Sequence, residues 1–564
     1  MLFFFACSFL ILLKHMIASQ LPIEARPGYR TDDLLMVMMT RNILRGKWLG
    51  AYGYGTLMKG CLYPLFLSAT YLSGLSYLRV LDILNSVAAL YFTLQVRPIL
   101  RRRRWLLVLF AVLLFNPVTS ATLTFQRVYR CSISSMQTLF LFGAVAGMYL
   151  REQDRGRRRV FRAVFCGIVL WSVWNTREDA VWVLPFVIAA GVVILVRDLR
   201  TRKNRSGRIC AVVVFLMPFL LLLGGNAAIA AINQHYYGLP IRNEASAGFG
   251  KMLKTMYSIK NQEDHRYVSI TAEKLERMYA VSPTLRKIEA ELNLSLKQAD
   301  IGSDRIQGDG EVEDGWFFWC IRRALENTGV APTLTEANAF YLQVNQELET
   351  AIRDPDSPFE TQWVMPSALM SPWRDAYWGE IFRFAVDAAE YMITYNEVSA
   401  VPRTQKPEEA RMTSLFEGIT GDAAIYDGTH LSDYRQLFIQ RADTVASVYR
   451  AVNPAAAILC MALYLGQFAA ALIRRAKKEI PWLLTVTGIG LSIVVLLAGI
   501  AYTEMTAFIA IRYTYISGGY ALMLAFEWIV ILRFAETLCG WLKNRRWLHA
   551  RRKNRTDHSD ALPE

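Results

Sequence analysis

Charged side chains are scarce in this sequence. Only 20% of its 564 residues are Asp, Glu, Lys or Arg, while 53% are hydrophobic. A soluble globular protein carries about 25% charged residues. The hydrophobic residues also gather in blocks of about 20, which is the length that a membrane-spanning helix requires. A soluble protein of several domains, which the length alone would suggest, is therefore disfavoured.

Cysteine is also sparse, and no CxxC pair is present. The eight cysteines are scattered, mostly in or beside apolar blocks, where they act as small hydrophobic side chains. This pattern supports neither a disulfide framework nor a zinc site. The first apolar block, residues 2–19, lacks the basic start and the small-residue cleavage site of a signal peptide. We therefore expect it to be retained as the first span.

Positive charge is in excess, and its distribution indicates the partner. The net charge is +15, and basic clusters at 101–104, 155–159, 197–208, 474–478 and beyond 543 flank apolar blocks. Basic residues beside spans mark the cytoplasmic side of a membrane protein and contact anionic headgroups. We therefore expect a lipid bilayer as partner, no nucleic acid, and a cytoplasmic C-terminus.

The basic clusters order the apolar blocks into ten predicted spans. A further apolar stretch, 58–76, would place a basic cluster on the wrong side if it crossed the membrane. We therefore predict that it lies in the interface as a short helix, as does the amphipathic stretch 34–46. The predicted spans are residues 2–19, 79–98, 104–121, 133–150, 160–176, 178–197, 208–231, 452–473, 481–502 and 515–537.

The predicted chain has four parts and an all-α, multi-pass fold in the cell membrane. Residues 1–231 form a seven-span module, 448–540 contain three C-terminal spans, and 541–564 form a basic cytoplasmic tail. Residues 232–447 have many charges, helical periodicity and no long apolar run. We therefore expect them to form a mostly helical, water-facing domain on the extracytoplasmic side.

Two adjacent carboxylates, Asp32 and Asp33, follow the first span beside Arg30. Arg30 would favour the charged form of a carboxylate, which could then act as a general base on a substrate hydroxyl. The alternative is that Thr31 or Asp32 caps the helix from Leu34, whose N-terminus favours acidic residues. Lys59 opens the interfacial stretch, where its ammonium group could pair with a phosphate or simply extend to the headgroups.

Two polar loops on the same side carry further candidates. Arg127 and Arg130 lie between the third and fourth spans, against the positive-inside bias, so we expect them to bind a phosphate or acidic residues of neighbouring loops. Arg177, Glu178 and Asp179 form a tight polar turn between the fifth and sixth spans. An ion pair within that turn is its simpler explanation.

The last candidate is the pair Arg512 and Tyr513, at the outer mouth of the tenth span. An arginine that enters an apolar span is costly, so we expect a functional partner for it. Carboxylates and arginines from five separate segments are thus predicted to meet at one membrane face. A site for an anionic, lipid-anchored substrate requires such a cluster.

Several of these features occur in the same order in a known superfamily. The acidic pair precedes LLMVMMTRNILRGKWLGAYGYGTLMKGCLYPLFL, and the turn NTREDAVW and a late RY follow. In this the chain resembles the C-type membrane glycosyltransferases (the GT-C superfamily), which include protein O-mannosyltransferases and lipid A aminoarabinose transferases. The resemblance covers the first seven spans and says little about residues 232–447.

The resemblance implies a transferase whose donor is a polyprenyl-phosphate-linked sugar. The acceptor would be an extracytoplasmic glycan, lipid or protein. Asp32, with Asp33 as the close alternative, would deprotonate the acceptor hydroxyl for a direct, inverting attack on the sugar. The donor phosphate would be held by Lys59, Arg127, Arg130, Arg512 and Tyr513.

One departure from the superfamily concerns a metal. Many members place another acidic residue at the start of the fourth span, but no Asp or Glu occurs between Arg97 and Leu150 here. The residues therefore supply no two-carboxylate metal site, and a requirement for a divalent metal stays open. Two alternatives also stay open: a non-catalytic assembly or binding protein of envelope polysaccharide synthesis, and a transporter of anionic or lipid-linked solutes.

Overall fold

Helices dominate the computed structural model of the chain. It describes residues 1–151, 156–202, 204–263, 265–299, 310–365, 367 and 370–559. Within these ranges extended backbone pairs only in isolated bridges, such as Glu24 with Arg127, and no strand forms. The predicted all-α fold class is confirmed for this part of the chain.

The described residues up to 237 form nine α-helices. Two of them, with 12 and 11 residues, occupy the stretches that were predicted to lie in the interface. At 1.5 Å per residue, neither reaches the roughly 30 Å thickness of a bilayer core. The helices are α1 (Leu2–Ala18), α2 (Asp33–Leu44), α3 (Leu62–Leu72), α4 (Tyr77–Gln95), α5 (Arg103–Leu114), α6 (Ser134–Leu150), α7 (Gly156–Thr176), α8 (Leu184–Thr201) and α9 (Arg205–Tyr237).

Eleven more α-helices follow in the described residues beyond 247. Local sequence explains where one of them begins, because Thr333 and Glu336 form a capping box at the start of the helix Leu334–Arg353. The helices are α10 (Gly248–Ser258), α11 (Ala272–Val281), α12 (Pro283–Arg286), α13 (Glu289–Ala299), α14 (Asp314–Thr328), α15 (Leu334–Arg353), α16 (Tyr377–Ile393), α17 (Ala410–Thr420), α18 (Asp433–Ile473), α19 (Ile480–Thr506) and α20 (Tyr513–Ser559).

Six helical segments of the described chain are long and apolar enough to cross a membrane. They are Tyr77–Gln95, Arg130–Leu150, Ala180–Thr201, Arg205–Tyr237, Asp433–Ile473 and Lys477–Thr506. A bent pair, Arg103–Leu114 with Pro117–Gln126, raises the number to seven if it is one span. The chain therefore has the helices of a multi-pass membrane protein, but the predicted number of ten spans is not confirmed.

The bend in that pair has a local cause. Asn116 accepts a hydrogen bond from the Val118 amide, and Pro117 cannot continue α5 because its nitrogen carries no hydrogen. The chain then passes through a short helical turn, Thr122–Gln126, before it reaches Arg127. The break therefore delivers Arg127 and the residues after it to the site described below.

The remaining predicted spans fall on helices outside this set. The span predicted at 2–19 is α1, which has only 17 residues. The span predicted at 160–176 is α7, which carries four arginines in its first two turns. The span predicted at 515–537 lies within α20, one helix that continues to Ser559. The predicted tail, 541–564, thus begins inside α20, and its residues 560–564 lie outside the described part.

Buried side chains form two separate cores. The larger core unites the candidate spans with residues between 388 and 442. The smaller core contains residues between 249 and 359, together with Met58. Residues of the segment 232–447 therefore contribute to both cores. Only its first part has a core of its own, while α16 and α17 pack on helices outside the segment.

Candidate functional site

The candidate site is assembled from separate segments at one end of the helices. They are the start of α2, the loop before α3, the segment before α6 and the turn after α7. We define the site cluster as Asp32, Asp33, Lys59, Arg127, Tyr129, Arg130 and Glu178, which are joined by hydrogen bonds, ion pairs and ring contacts. The predicted meeting of carboxylates and arginines from distant segments is therefore present.

Asp33 forms a buried ion pair with Arg127. The Arg127 guanidinium donates to both carboxylate oxygens of Asp33, over 2.8 and 2.5 Å, and the Asp33 side chain is 0% exposed. The Arg127 backbone is also held, because its carbonyl accepts a 2.9 Å hydrogen bond from the buried Tyr77 hydroxyl. This bidentate, buried geometry leaves no carboxylate oxygen of Asp33 open to a substrate. Asp33 and Arg127 therefore form a structural pair.

Asp32 differs from its neighbour in its access to solvent. Its side chain is 33% exposed, and one carboxylate oxygen contacts Lys59 Nζ and accepts a 2.8 Å hydrogen bond from the Tyr129 hydroxyl. Asp32 is the N-cap residue of α2, yet its side chain makes no capping hydrogen bond. The capping alternative therefore does not account for this carboxylate.

Lys59 is largely enclosed by other residues rather than extended towards solvent, since its side chain is only 9% exposed. Its ammonium group lies 3.0 Å from the Tyr129 hydroxyl and 5.2 Å from the centre of the Tyr129 ring. Trp319 covers it from another side, 5.8 Å away. Burial, together with the charge of Arg130, lowers the pKa of Lys59 well below its usual value, although the nearby Glu178 acts in the opposite direction. A lysine that merely extends to the headgroups would be exposed, so that explanation does not fit.

Arg130 is held by the turn that follows α7. One of its terminal nitrogens donates to both oxygens of Glu178, over 2.8 and 2.6 Å, and the other donates to the Tyr129 hydroxyl over 3.0 Å. Burial opposes the ionisation of Glu178, but Arg130 outweighs it and lowers the pKa of the carboxyl. The Arg130 Nε is buried and has no hydrogen-bond partner among the described residues. Arg130 thus retains a donor that an added anion can use.

Gly60 allows the Lys59 loop to lie directly against the same turn. Its amide donates to Glu178 over 3.3 Å. A Cβ atom at this position would collide with the Asn175 carbonyl oxygen, so any other residue would push the two segments apart.

Arg177 and Asp179 pair within their own turn, as the simpler alternative expected. The Arg177 guanidinium donates to both carboxylate oxygens of Asp179, over 2.9 and 2.5 Å. It also donates to the Thr514 carbonyl over 3.0 Å and lies 5.8 Å from the Tyr515 ring. Arg177 therefore fastens the turn to the start of α20.

Arg512 and Tyr513 are not part of the site cluster. Tyr513 is buried, and its hydroxyl accepts a 3.0 Å hydrogen bond from the Leu123 amide, which indicates a structural role. Arg512 is exposed, and it forms no ion pair with another residue in the part of the chain that the structure describes. The site cluster thus contains six of the ten predicted site residues; Arg177 and Asp179 pair with each other beside it, and Arg512 and Tyr513 lie outside it.

The second core reaches the site through Arg322 of α14. This buried guanidinium donates to the carbonyls of Tyr54 and Thr56, over 2.7 and 2.8 Å, in the loop that leads to Lys59. Glu244 lies 2.7 Å from it and balances its charge. Residues 249–359 therefore hold Lys59 in place in two ways: Arg322 binds the loop before it, and the Trp319 ring lies against it.

Sequence reasoning missed four of these residues. Tyr129 stands between two predicted arginines, and its position in the QRVYR stretch could have indicated it. Trp319, Arg322 and Glu244 lie in a segment without a motif, and no pattern links them to Lys59. Their role depends on the packing of α14 against the first loop.

The charges of the site cluster balance, but its acidic side chains differ in their exposure to solvent. Its three cations, Lys59, Arg127 and Arg130, each pair with one acid. Burial raises the pKa of the Tyr129 hydroxyl to about 12, so Tyr129 stays a hydrogen-bond donor at neutral pH. The arrangement can hold an anionic group at Lys59 and Arg130 beside one accessible carboxylate. No group of three or more His, Cys, Asp or Glu residues suited to a metal ion occurs among the described residues.

Comparisons with known proteins add no relative to these observations. No family model, curated protein or solved structure matches the chain. Function must therefore be inferred from the site and from the resemblance of its motifs.

Proposed function

We propose that this protein is a membrane glycosyltransferase of the cell envelope. It moves a sugar from a polyprenyl-phosphate carrier to a hydroxyl group of an extracytoplasmic glycan, lipid or protein, with inversion at the anomeric carbon. The observation that carries the proposal is the setting of Asp32. It is an accessible carboxylate that touches Lys59 and Tyr129 inside a cluster of buried cations.

Asp32 is the general base of the proposed reaction. Its carboxylate removes the proton of the acceptor hydroxyl, and the freed oxygen attacks the anomeric carbon from the side opposite the phosphate. The bond between that carbon and the phosphate oxygen breaks. Its electron pair stays on the polyprenyl phosphate, whose added negative charge requires cations close to it.

Lys59 and Arg130 are the cations that we assign to the phosphate. Lys59 contacts Asp32, so a phosphate that attracts Lys59 also frees Asp32 to act as a base. Arg130 offers its unpartnered Nε as a further donor. We assign Arg127 to the structure instead, because Asp33 occupies its guanidinium fork.

The proposed orientation places the site cluster outside the cytoplasm. The basic clusters that flank the apolar blocks support this orientation, because such residues favour the cytoplasmic side. Residues 249–359 lie against the site through Arg322 and Trp319, which suits a role in recognising the acceptor.

A transfer assay tests the proposal. The full-length protein is reconstituted with radiolabelled polyprenyl-phosphate sugars and an envelope glycan extract, and wild type is compared with Asp32→Asn. We expect transfer by the wild type and a loss of at least 100-fold in the variant, the lower end of general-base effects. Glu276→Gln, which changes an exposed carboxylate on α11, is the matched control. Full transfer by Asp32→Asn would refute the assignment of the base.

The neutral charge balance of the cluster favours a second candidate function. Because each cation already has an acidic partner, the site also suits a non-catalytic binding or assembly protein of envelope polysaccharide synthesis. Such a protein would bind the lipid-linked donor, with weaker binding in Lys59→Met, and would transfer no sugar from any donor.

Charged residues inside the helices favour a transporter as the third candidate. Asp82 and Glu527 are buried within α4 and α20. Buried charges inside membrane helices also occur along transport paths. Movement of a labelled polyprenyl phosphate across protein-containing liposomes, without sugar transfer, would support this function.

A further inference from the structure

Helix α16 (Tyr377–Ile393) carries an exposed apolar stripe. Trp378, Phe382 and Val386 are spaced four residues apart, so they line one side of the helix. Their exposed fractions are 70%, 77% and 46%. Two large aromatic side chains at this exposure are not expected on a helix that faces water.

The rest of the helix surface has a different character. Arg383 and Asp387 each follow a member of the stripe by one residue, and they lie about 100° further round the helix. Both are exposed. Tyr377 and Ala388 are buried on a third side, where α16 packs along α19. The helix thus has a protein-facing, an apolar and a charged sector, as a helix in a membrane interface has.

The beginning of this segment is fixed at the end of α19. Trp373, just before α16, stacks on Tyr502 of α19 with 6.1 Å between the ring centres and 9° between the planes. Tyr502 also donates a hydrogen bond to the Ser371 carbonyl. Residues of α19 that α16 leaves uncovered, such as Leu491 and Val494, are themselves exposed and apolar.

The far end of α16 is inserted among candidate spans. The Ile393 carbonyl accepts a 3.1 Å hydrogen bond from Asn453 of α18. Tyr395 packs against Tyr449 of α18 and Tyr520 of α20, with ring centres 5.7 and 5.0 Å apart. Because α16 packs on α19 and ends between helices that we place in the bilayer, its exposed stripe belongs to a helix that lies beside the candidate spans.

We infer that α16 lies in the membrane interface, with Trp378, Phe382 and Val386 among the acyl chains and Arg383 and Asp387 in water. The partner of this surface is the lipid bilayer. The inference goes beyond the proposed glycosyl transfer and does not depend on it. It also assigns a lipid contact to a segment in which no apolar run indicates one.

The segment after α16, residues 399–401, is hydrogen-bonded to the segment that leads into the site cluster. Thr122 donates to the carbonyls of Ser399 and Val401, over 3.0 and 2.7 Å, and Gln126 donates to the Ala400 carbonyl over 2.8 Å. Gln126 is followed directly by Arg127 of the site cluster. A helix anchored in the interface therefore holds the segment that carries Arg127.

Photo-crosslinking to lipid tests the inference. Phe382→p-benzoylphenylalanine and Asp387→p-benzoylphenylalanine are made in the full chain and placed in nanodiscs of phosphatidylcholine with alkyne-tagged acyl chains. We expect at least five times more lipid adduct at position 382 than at 387. Leu491→p-benzoylphenylalanine serves as the positive control for a lipid-facing position. Equal yields at 382 and 387, or an adduct at 382 to a second protein copy, would overturn the inference.

Labelling with a membrane-impermeant maleimide gives a second, independent readout. Phe382→Cys and Asp387→Cys are compared in nanodiscs, with the signal of the wild-type cysteines subtracted. We expect the Asp387→Cys variant to react at least five times faster, and the difference to shrink when detergent replaces the bilayer. Both variants must elute as folded protein in gel filtration. Fast labelling of Phe382→Cys in the nanodisc would show that the stripe faces water.

Discussion

Changing Asp33 to Asn should destabilise the protein far more than the same change at Asp32. In Asp33→Asn an NH2 group replaces one of the two carboxylate oxygens that accept hydrogen bonds from Arg127. The buried Arg127 guanidinium then keeps its positive charge but loses the negative charge that balances it. Removing one partner of a buried ion pair costs about 3–5 kcal/mol. The Asp32 carboxylate is partly open to water, so Asp32→Asn should cost about 1 kcal/mol or less.

The expected shift in melting temperature follows from the size of the chain. At about 2.1 cal/mol/K of unfolding entropy per residue, cooperative melting of 564 residues involves about 1.2 kcal/mol/K. A loss of 3–5 kcal/mol then lowers the midpoint by roughly 2–4 °C, which tryptophan fluorescence of the purified protein in detergent can measure. The double variant Asp33→Leu with Arg127→Met removes both charges and should recover most of that loss.

Two results would refute this reasoning. One is a midpoint for Asp33→Asn within 1 °C (about 1 kcal/mol) of the wild type. The other is a double variant that is no more stable than the single variant, because the two residues would then not be coupled. In either case Asp33 would again compete with Asp32 for the role of the base.

Two further predictions concern the second core. Arg322→Met should loosen the loop before Lys59, because the Tyr54 and Thr56 carbonyls lose their hydrogen-bond donor. Limited trypsin digestion should then cut after Lys59 faster than in the wild type. An unchanged rate would show that Arg322 does not hold this loop. Burial lowers the pKa of Lys274 to about 7, against about 10.4 in an unfolded chain. Between these values the unfolded state binds more protons, so the free energy of unfolding should rise with pH, by at most about 1.4 kcal/mol per pH unit, and the melting temperature should rise with it. Melting curves at pH 7, 8 and 9 should show this rise in the wild type and a smaller one in Lys274→Met; equal slopes would contradict it.

Features that depend on local sequence could be predicted. Long apolar blocks, their basic flanks and the short helices α2 and α3 follow from hydropathy and length, which neighbouring residues determine. The meeting of Asp32, Lys59 and Arg130 was also predictable in outline, because all three belong to polar segments at the same ends of the apolar blocks.

The different roles of Asp32 and Asp33 could not be predicted. Adjacent residues at the start of a helix point about 100° apart, so one faces the opening of the site and the other faces Arg127. Which one faces outward depends on the packing of α2 against the 127–130 segment. The sequence pattern DD is the same in either case.

The exposed apolar stripe of α16 could not be predicted from the sequence, for a different reason. Its apolar residues alternate round the helix with Glu380, Arg383 and Asp387, so no apolar run appears in the sequence. A helix in the interface needs only one apolar sector, and averaged hydropathy does not detect it.

In the proposed reaction, the contact between Trp319 and Lys59 gives the second core a part in donor binding. An unrelated neighbour would meet the site with exposed side chains, yet Trp319 is buried and its ring lies 5.8 Å from the Lys59 ammonium group. A desolvated contact of this kind is worth about 0.5–2 kcal/mol, or roughly 2- to 30-fold in binding. Trp319→Leu should weaken the binding of a polyprenyl phosphate by that factor, while Trp319→Phe keeps an aromatic face and most of the affinity. If residues 249–359 served only to recognise the acceptor, both variants would bind the phosphate as the wild type does, and the ring would have no role at Lys59.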